Sequence, residues 1–127
     1  GIAHTTRSNE GIALIAMIET PEGVENAQAI AAVEGVDAVF VGPNDLAHAM
    51  GHDNNWASPP VEAAIEKALR AVAAAGRCAG TIALTPEAED KYAQWGARYF
   101  ANVATSIITQ ALAKAASHGR EGAQIQY

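Results

Sequence analysis

A single cysteine, Cys78, leaves the chain without an internal disulfide and without the thiolates of a cysteine-based metal cluster. Set between Arg77 and the apolar run Ala79 to Leu84, it is expected to be a small core residue rather than a reactive thiol. Basic residues are few and scattered, eight Lys and Arg against fourteen Asp and Glu, for a formal net charge of -6. That balance excludes nucleic acid as a partner, because phosphate backbones need clustered Lys and Arg. A small anionic substrate remains admissible, since a metal ion or a helix N-terminus supplies local positive charge. No apolar run approaches the roughly 20 residues that cross a bilayer. Residues 1–10 also lack the basic start and apolar centre of a secretory signal, so the expected setting is cytoplasmic, with no membrane partner. Aromatics make up only 6% of a chain that is 50% apolar and rich in Ala, a globular composition.

At 127 residues the chain is expected to form one domain over 1–127, with loose termini at 1–11 and 117–127. The first residue is Gly rather than Met, which suggests processing or a piece of something longer. Leu14 to Ile18 reads as a strand buried on both faces. Thr20-Pro21-Glu22 then opens a helix with a hydroxyl cap and Pro at its first position, ending near Gly35. Val36 to Val41 is a second strand, closed by Gly42-Pro43, and Asn44 or Asp45 is expected to cap the short helix that includes Leu46 to Met50. Gly51 to Pro60 reads as a surface loop with Trp56 as an anchor. The longest helix follows, with Val61, Ala64, Ile65, Ala68, Leu69, Val72 and Ala75 on one face and Gly76 at its end. Ala79 to Leu84 is a third strand, and Thr85-Pro86-Glu87 starts a helix with Ala88, Tyr92 and Trp95 on its buried face and Gly96 as its stop. Tyr99 to Val103 is a fourth strand, followed by a helix bearing Ile108, Ala111, Leu112 and Ala115. Four strand-helix units predict an α/β fold with a parallel sheet and right-handed crossovers, and are half of an eightfold β/α barrel.

Two of these strands end in a lone carboxylate next to a helix start, Glu19 after the first and Asp45 after the second. Either acid alone reads as a cap or a solvated charge. In a parallel sheet, however, neighbouring strand ends share one crevice, where such folds place their ligands. Ionised acids brought together there repel, so one takes a proton or a cation sits between them. Oxygen donors point to a hard ion, Mg²⁺ or Mn²⁺, with water or substrate filling the other positions.

The stretch M-I-E-T-P-E-G-V-E-N-A-Q-A-I-A-A-V-E-G-V-D-A-V-F-V-G-P-N-D-L-A-H-A-M-G resembles the core of the HpcH/HpaI aldolase family, the metal-dependent class II pyruvate aldolases. That family includes the 4-hydroxy-2-oxoheptanedioate and 2-dehydro-3-deoxyglucarate aldolases. The likeness runs on through Pro59-Pro60-Val61, A-A-A-G-R-C-A-G and Y-A-Q-W-G-A-R-Y-F-A, but covers only the C-terminal half of the family's TIM (β/α)8 barrel. It implies metal ligands at Glu19 and Asp45 and substrate contacts at Asn44, through its backbone amide, at Asp45, and at Met17, where many members carry Gln. It implies Mg²⁺ or Mn²⁺, with Co²⁺ admissible, and retro-aldol cleavage or aldol addition of 2-oxo acids giving pyruvate and an aldehyde. The family's general-base His and oxyanion-stabilising Arg lie in the other half. His4, His48, His52 and His118 do not match that His, so no catalytic residue is assigned, although His48 and His52 follow Asp45 closely enough to approach the metal rim. After the fourth strand, Asn102-Val103-Ala104-Thr105 stands where members often read V-G-V-D-T. The implied partner is a complementing N-terminal half or a second copy. The alternatives are a non-catalytic metal-binding half-barrel or assembly module, and an activity of the citrate lyase or malyl-CoA lyase type.

Overall fold

The structure is a computed structural model that describes residues 7–122, with side chains described through residue 117. After a 3₁₀ turn at Ser8–Gly11, strands and helices alternate. The order is β1 (Ile15–Ile18), α1 (Pro21–Glu25), α2 (Ala27–Ala32), β2 (Ala38–Val41), α3 (Pro43–Ala49), α4 (Pro59–Ala74), β3 (Cys78–Ile82), α5 (Pro86–Gln94), β4 (Ala97–Ala101) and α6 (Ala104–Gly122). All strand pairs are parallel, and sheet order equals chain order. This is the predicted α/β arrangement, four βα units laid side by side as in half of an eightfold barrel.

Because side chains alternate along a strand, the sheet has two unlike faces. One carries the row Ile18, Val41, Thr81 and Phe100 and packs beneath the helices. There the apolar stripe of α4, with Val61, Ile65, Ala68, Leu69 and Val72 fully buried, meets Val39, Val41 and Ala79. Thr81 is tolerated in this layer because its hydroxyl donates to the Val41 carbonyl at 2.9 Å. The other face carries Met17, Phe40, Gly80 and Tyr99, and no described helix covers it. On it Tyr99 lies against Gly80 and meets the edge of Phe40 with ring centroids 5.7 Å apart.

The caps at Thr20 and Thr85 form as expected, their hydroxyls accepting from the Gly23 and Ala88 amides. Asp37, which interrupts the second apolar run, accepts from the Leu14 amide at 2.8 Å and ties the starts of β1 and β2 together. Arg77 donates to the Ala31 carbonyl at 2.9 Å, closing the end of α2.

Several expectations are corrected. β1 is not buried on both faces: Met17 is 56% exposed and Leu14 and Ile15 are also open, because β1 is an edge and its inner face has no covering layer. The first helix breaks at Asn26, whose side chain donates to the Glu22 carbonyl and whose backbone leaves the helical region. Neither Asn44 nor Asp45 caps α3; Gly42 is the N-cap and both residues lie in the first helical turn. Strand β4 starts at Ala97, two residues before the apolar run, and pairs with β3 across a register shift at Ala79/Gly80. At the C-terminus α6 continues past Ser117, whose hydroxyl donates to the Lys114 carbonyl, through Gly122. His4, the side chain of His118 and residues 123–127 lie outside the described residues.

Gly96 ends α5 with φ +101°, and an added Cβ would lie 2.6 Å from the Ala73 Cβ. Gly96→Ala is therefore expected to cost about 1–3 kcal/mol through a strained backbone conformation. An unchanged urea midpoint would refute this.

Candidate active site

Strand β1 delivers Glu19, and β2 delivers Gly42, Pro43 and the first turn of α3 to the same end of the sheet. The Gly42 amide donates to the Ile18 carbonyl at 2.9 Å, which locks these two strand ends together. Glu19 folds across Gly42: a Cβ built there would fall 2.8 Å from Glu19 Oε1 and 2.9 Å from its Cγ. The missing side chain at Gly42 is what gives the carboxylate its place. Gly42→Ala is expected to displace Glu19 and weaken divalent-cation binding about tenfold, the lower end of what loss of a supporting contact costs a metal site. Titration calorimetry giving equal affinities would contradict it.

Glu19 is half-buried and Asp45 is exposed. The Glu19 pKa is raised above its ordinary value, first by desolvation, then by the charge of Asp45, then by a hydrogen bond shared with Asp45. The folded state thus binds the Glu19 proton more tightly than the unfolded chain does. The ionised form costs stability at neutral pH, and that cost vanishes as pH falls below the ordinary value of 4.5. Glu19→Gln is accordingly expected to raise the metal-free chain's melting temperature at pH 7 and to lose the advantage in acid. A variant less stable than the parent at pH 7 would count against the repulsion.

The acids open on a crevice of about 300 Å³. All four residues singled out from the sequence, Met17, Glu19, Asn44 and Asp45, line it. His48 and His52 do not line it. Residues that sequence reading did not place there are Phe40, Ile82, Leu84, Val103, Ser106 and Trp56. The available signal was positional: Leu84 and Val103 each stand two residues beyond a strand end, where βα loops form the ligand face.

Among the described residues no group of three or more His, Cys, Asp or Glu could hold a metal ion. The donor set is therefore two carboxylates drawn to one place against their mutual repulsion. That set fits a hard divalent cation completed by water or substrate oxygens, and fits poorly a closed structural site of four protein ligands.

The sequence matches the HpcH/HpaI aldolase/citrate lyase family over residues 2–109. It is 44% identical over 105 residues to a hydroxypyruvate/pyruvate aldolase of Delftia acidovorans, covering 82% of this chain and 39% of that protein. It is 42% identical over 95 residues to a 5-keto-4-deoxy-D-glucarate aldolase of Escherichia coli, covering 75% of this chain and 37% of that one. A crystal structure of an HpcH/HpaI aldolase/citrate lyase family protein from Burkholderia cenocepacia superposes with a TM-score of 0.84 at 33% identity, over 92% of this chain and 46% of that one. The chain thus spans less than half the length of these relatives. A match that runs from residue 2 to residue 109 reaches far beyond a shared motif: the chain belongs to the HpcH/HpaI aldolase/citrate lyase family.

Proposed function

We propose that this chain is the metal-binding half of a class II pyruvate aldolase, a carbon-carbon lyase that joins pyruvate to an aldehyde or cleaves the adduct. The observation that carries the reading is the convergence of Glu19 and Asp45 on one strand-end crevice, with Glu19 seated over Gly42. In this reading Glu19 and Asp45 hold Mg²⁺, Mn²⁺ or Co²⁺. When bound, the ion supplies Lewis-acid stabilisation of negative charge developing on a 2-oxo acid. Asn44, in the first turn of α3, offers its backbone amide to the substrate carboxylate, an N–H that has no partner within the helix. Met17, Phe40 and Ile82 form an apolar floor beneath the reacting carbons.

No described side chain in the crevice is suited to take the substrate proton at neutral pH once both acids are committed to the ion. In this reading the acid/base group comes from elsewhere, and the uncovered sheet face is what supports that. In the matched Burkholderia cenocepacia structure, this chain accounts for 46% of the molecule. Further βα units closing the barrel over Met17, Phe40 and Tyr99, contributed by a longer form of the protein or by a separate chain, would bring that group to the rim.

The test is calorimetric titration of Mn²⁺ into the purified chain with and without pyruvate. Binding that pyruvate tightens is expected; Mn²⁺ binding indifferent to pyruvate would favour a non-catalytic metal module and sink the aldolase reading.

A further inference from the structure

One peptide group underlies the strand-end site, and it is held at both ends. Glu19 folds across Gly42, and the Gly42 carbonyl accepts from the Leu46 amide at 3.1 Å, which sets the first turn of α3 and with it Asp45. The direction in which β2 hands over to α3 is therefore governed by the peptide that joins Val41 to Gly42. Its N–H donates to the Ile18 carbonyl of β1 at 2.9 Å, and its carbonyl oxygen accepts from the Thr81 hydroxyl of β3 at 2.9 Å. A peptide plane bonded on opposite sides cannot rotate without breaking one of the two bonds.

Packing alone does not call for a hydroxyl at Thr81. The residue is fully buried in a row with Ile18, Val41 and Phe100, where a valine would fill nearly the same space and need no partner. Backbone pairing already joins β2 to β3 through four rungs, of which Val41 with Thr81 is the last. The hydroxyl thus adds a bond where the ladder ends and the chain turns into the crevice. Thr81 does not itself line that crevice, so its influence there passes through β2.

From this geometry, and resting on the reading of the two acids as cation ligands, we infer that Thr81 is a positioning residue for the carboxylate pair. By anchoring the Val41–Gly42 peptide from the β3 side, it holds Glu19 and Asp45 at the spacing that admits one divalent cation. Strand β3, which carries no carboxylate, thereby takes part in the site.

The experiment is titration calorimetry of Mn²⁺ into the full chain and its Thr81→Val and Thr81→Ser variants, with the urea midpoint of each measured metal-free and the electron paramagnetic resonance spectrum of bound Mn²⁺ recorded at saturation. Valine keeps the bulk and removes the hydroxyl; serine keeps the hydroxyl and removes a methyl. Thr81→Val is expected to weaken Mn²⁺ binding about tenfold and to broaden the spectrum, whereas Thr81→Ser stays within about twofold of the parent and keeps its spectrum. Thr81→Ser also leaves a methyl-sized cavity and is expected to lower the urea midpoint, so that stability and affinity move apart. If Thr81→Val fails to fold, Thr81→Ala takes its place, since it too lacks the hydroxyl and cannot crowd the layer. Equal Mn²⁺ affinity in the parent and the hydroxyl-free variant, or affinity that follows the urea midpoint across the set, overturns the inference and leaves Thr81 a core residue alone. A parent chain that binds no Mn²⁺ overturns the reading of the acids as cation ligands and this inference with it.

Discussion

Glu19→Gln and Asp45→Asn are each expected to weaken Mn²⁺ binding by about 100-fold or more, since loss of a group that merely supports a metal ligand already costs 10–100-fold. The two acids come from different strands, so the site depends on the sheet that joins them. Ile18 pairs with Val41 and the Gly42 amide bonds to Ile18, leaving Glu19 and the start of α3 little freedom to part. Each substitution keeps the side-chain shape and removes one charge, which separates loss of ligation from loss of fold. Circular dichroism of both variants should match the parent while calorimetry shows the loss. If only one variant loses binding, the ion is held by a single acid, and the convergence seen in the structure has another cause.

The purified chain is expected to self-associate, and charges placed on its uncovered apolar surface should reverse this. Ile108 and Leu112 stand one turn apart on α6 and are 58% and 65% exposed, while Met17, Tyr99 and Leu84 lie open on or beside the bare sheet face. β1 and β4 also present unpaired edges. Water-exposed apolar area of this extent marks an interaction surface. Burying one Leu or Ile stabilises by about 1.5–3 kcal/mol. The double variant Ile108→Glu/Leu112→Glu is thus expected to weaken association by about 3 kcal/mol, a factor above 100 in Kd. Sedimentation equilibrium provides the measurement. A parent chain that stays monomeric at high micromolar concentration would show that these faces do not drive association by themselves.

Sequence reading reached the four strands, the threonine caps and the strand-end positions of Glu19 and Asp45 because each is written in a few adjacent residues. Thr-Pro-Glu specifies a capped helix start wherever it stands, and an apolar run closed by Gly or an acid specifies a strand and its end. What it missed depends on partners distant in the chain. The run Leu14 to Ile18 looks buried on both faces, yet only Ile18 and Ala16 find neighbours, since covering the other face takes units outside this sheet. The start of β4 at Ala97 is hidden by the polar Arg98 and is set by pairing with Ala79. Trp56 reads as a loop anchor, and it is one; that the same ring also walls the crevice follows from where the loop returns after α3. Asn44 and Asp45 look like caps by residue type, but Gly42 takes that place because Pro43 is already the first helical residue.

Sheet order that repeats chain order also governs how this molecule assembles itself. Each strand pairs with the next strand in the chain across one or two helices, so no pairing has to wait for a strand further along and the entropic cost of each step stays modest. Helix α4 touches β2, β3 and β4 as well as α1, α2 and α3, and so joins both halves of the sequence. Folding is then expected to condense around α4 and its flanking strands β2 and β3, with β1 and β4 added last. The strand bearing Glu19 would be a late arrival, and the strand-end crevice would be among the last features of the fold to form.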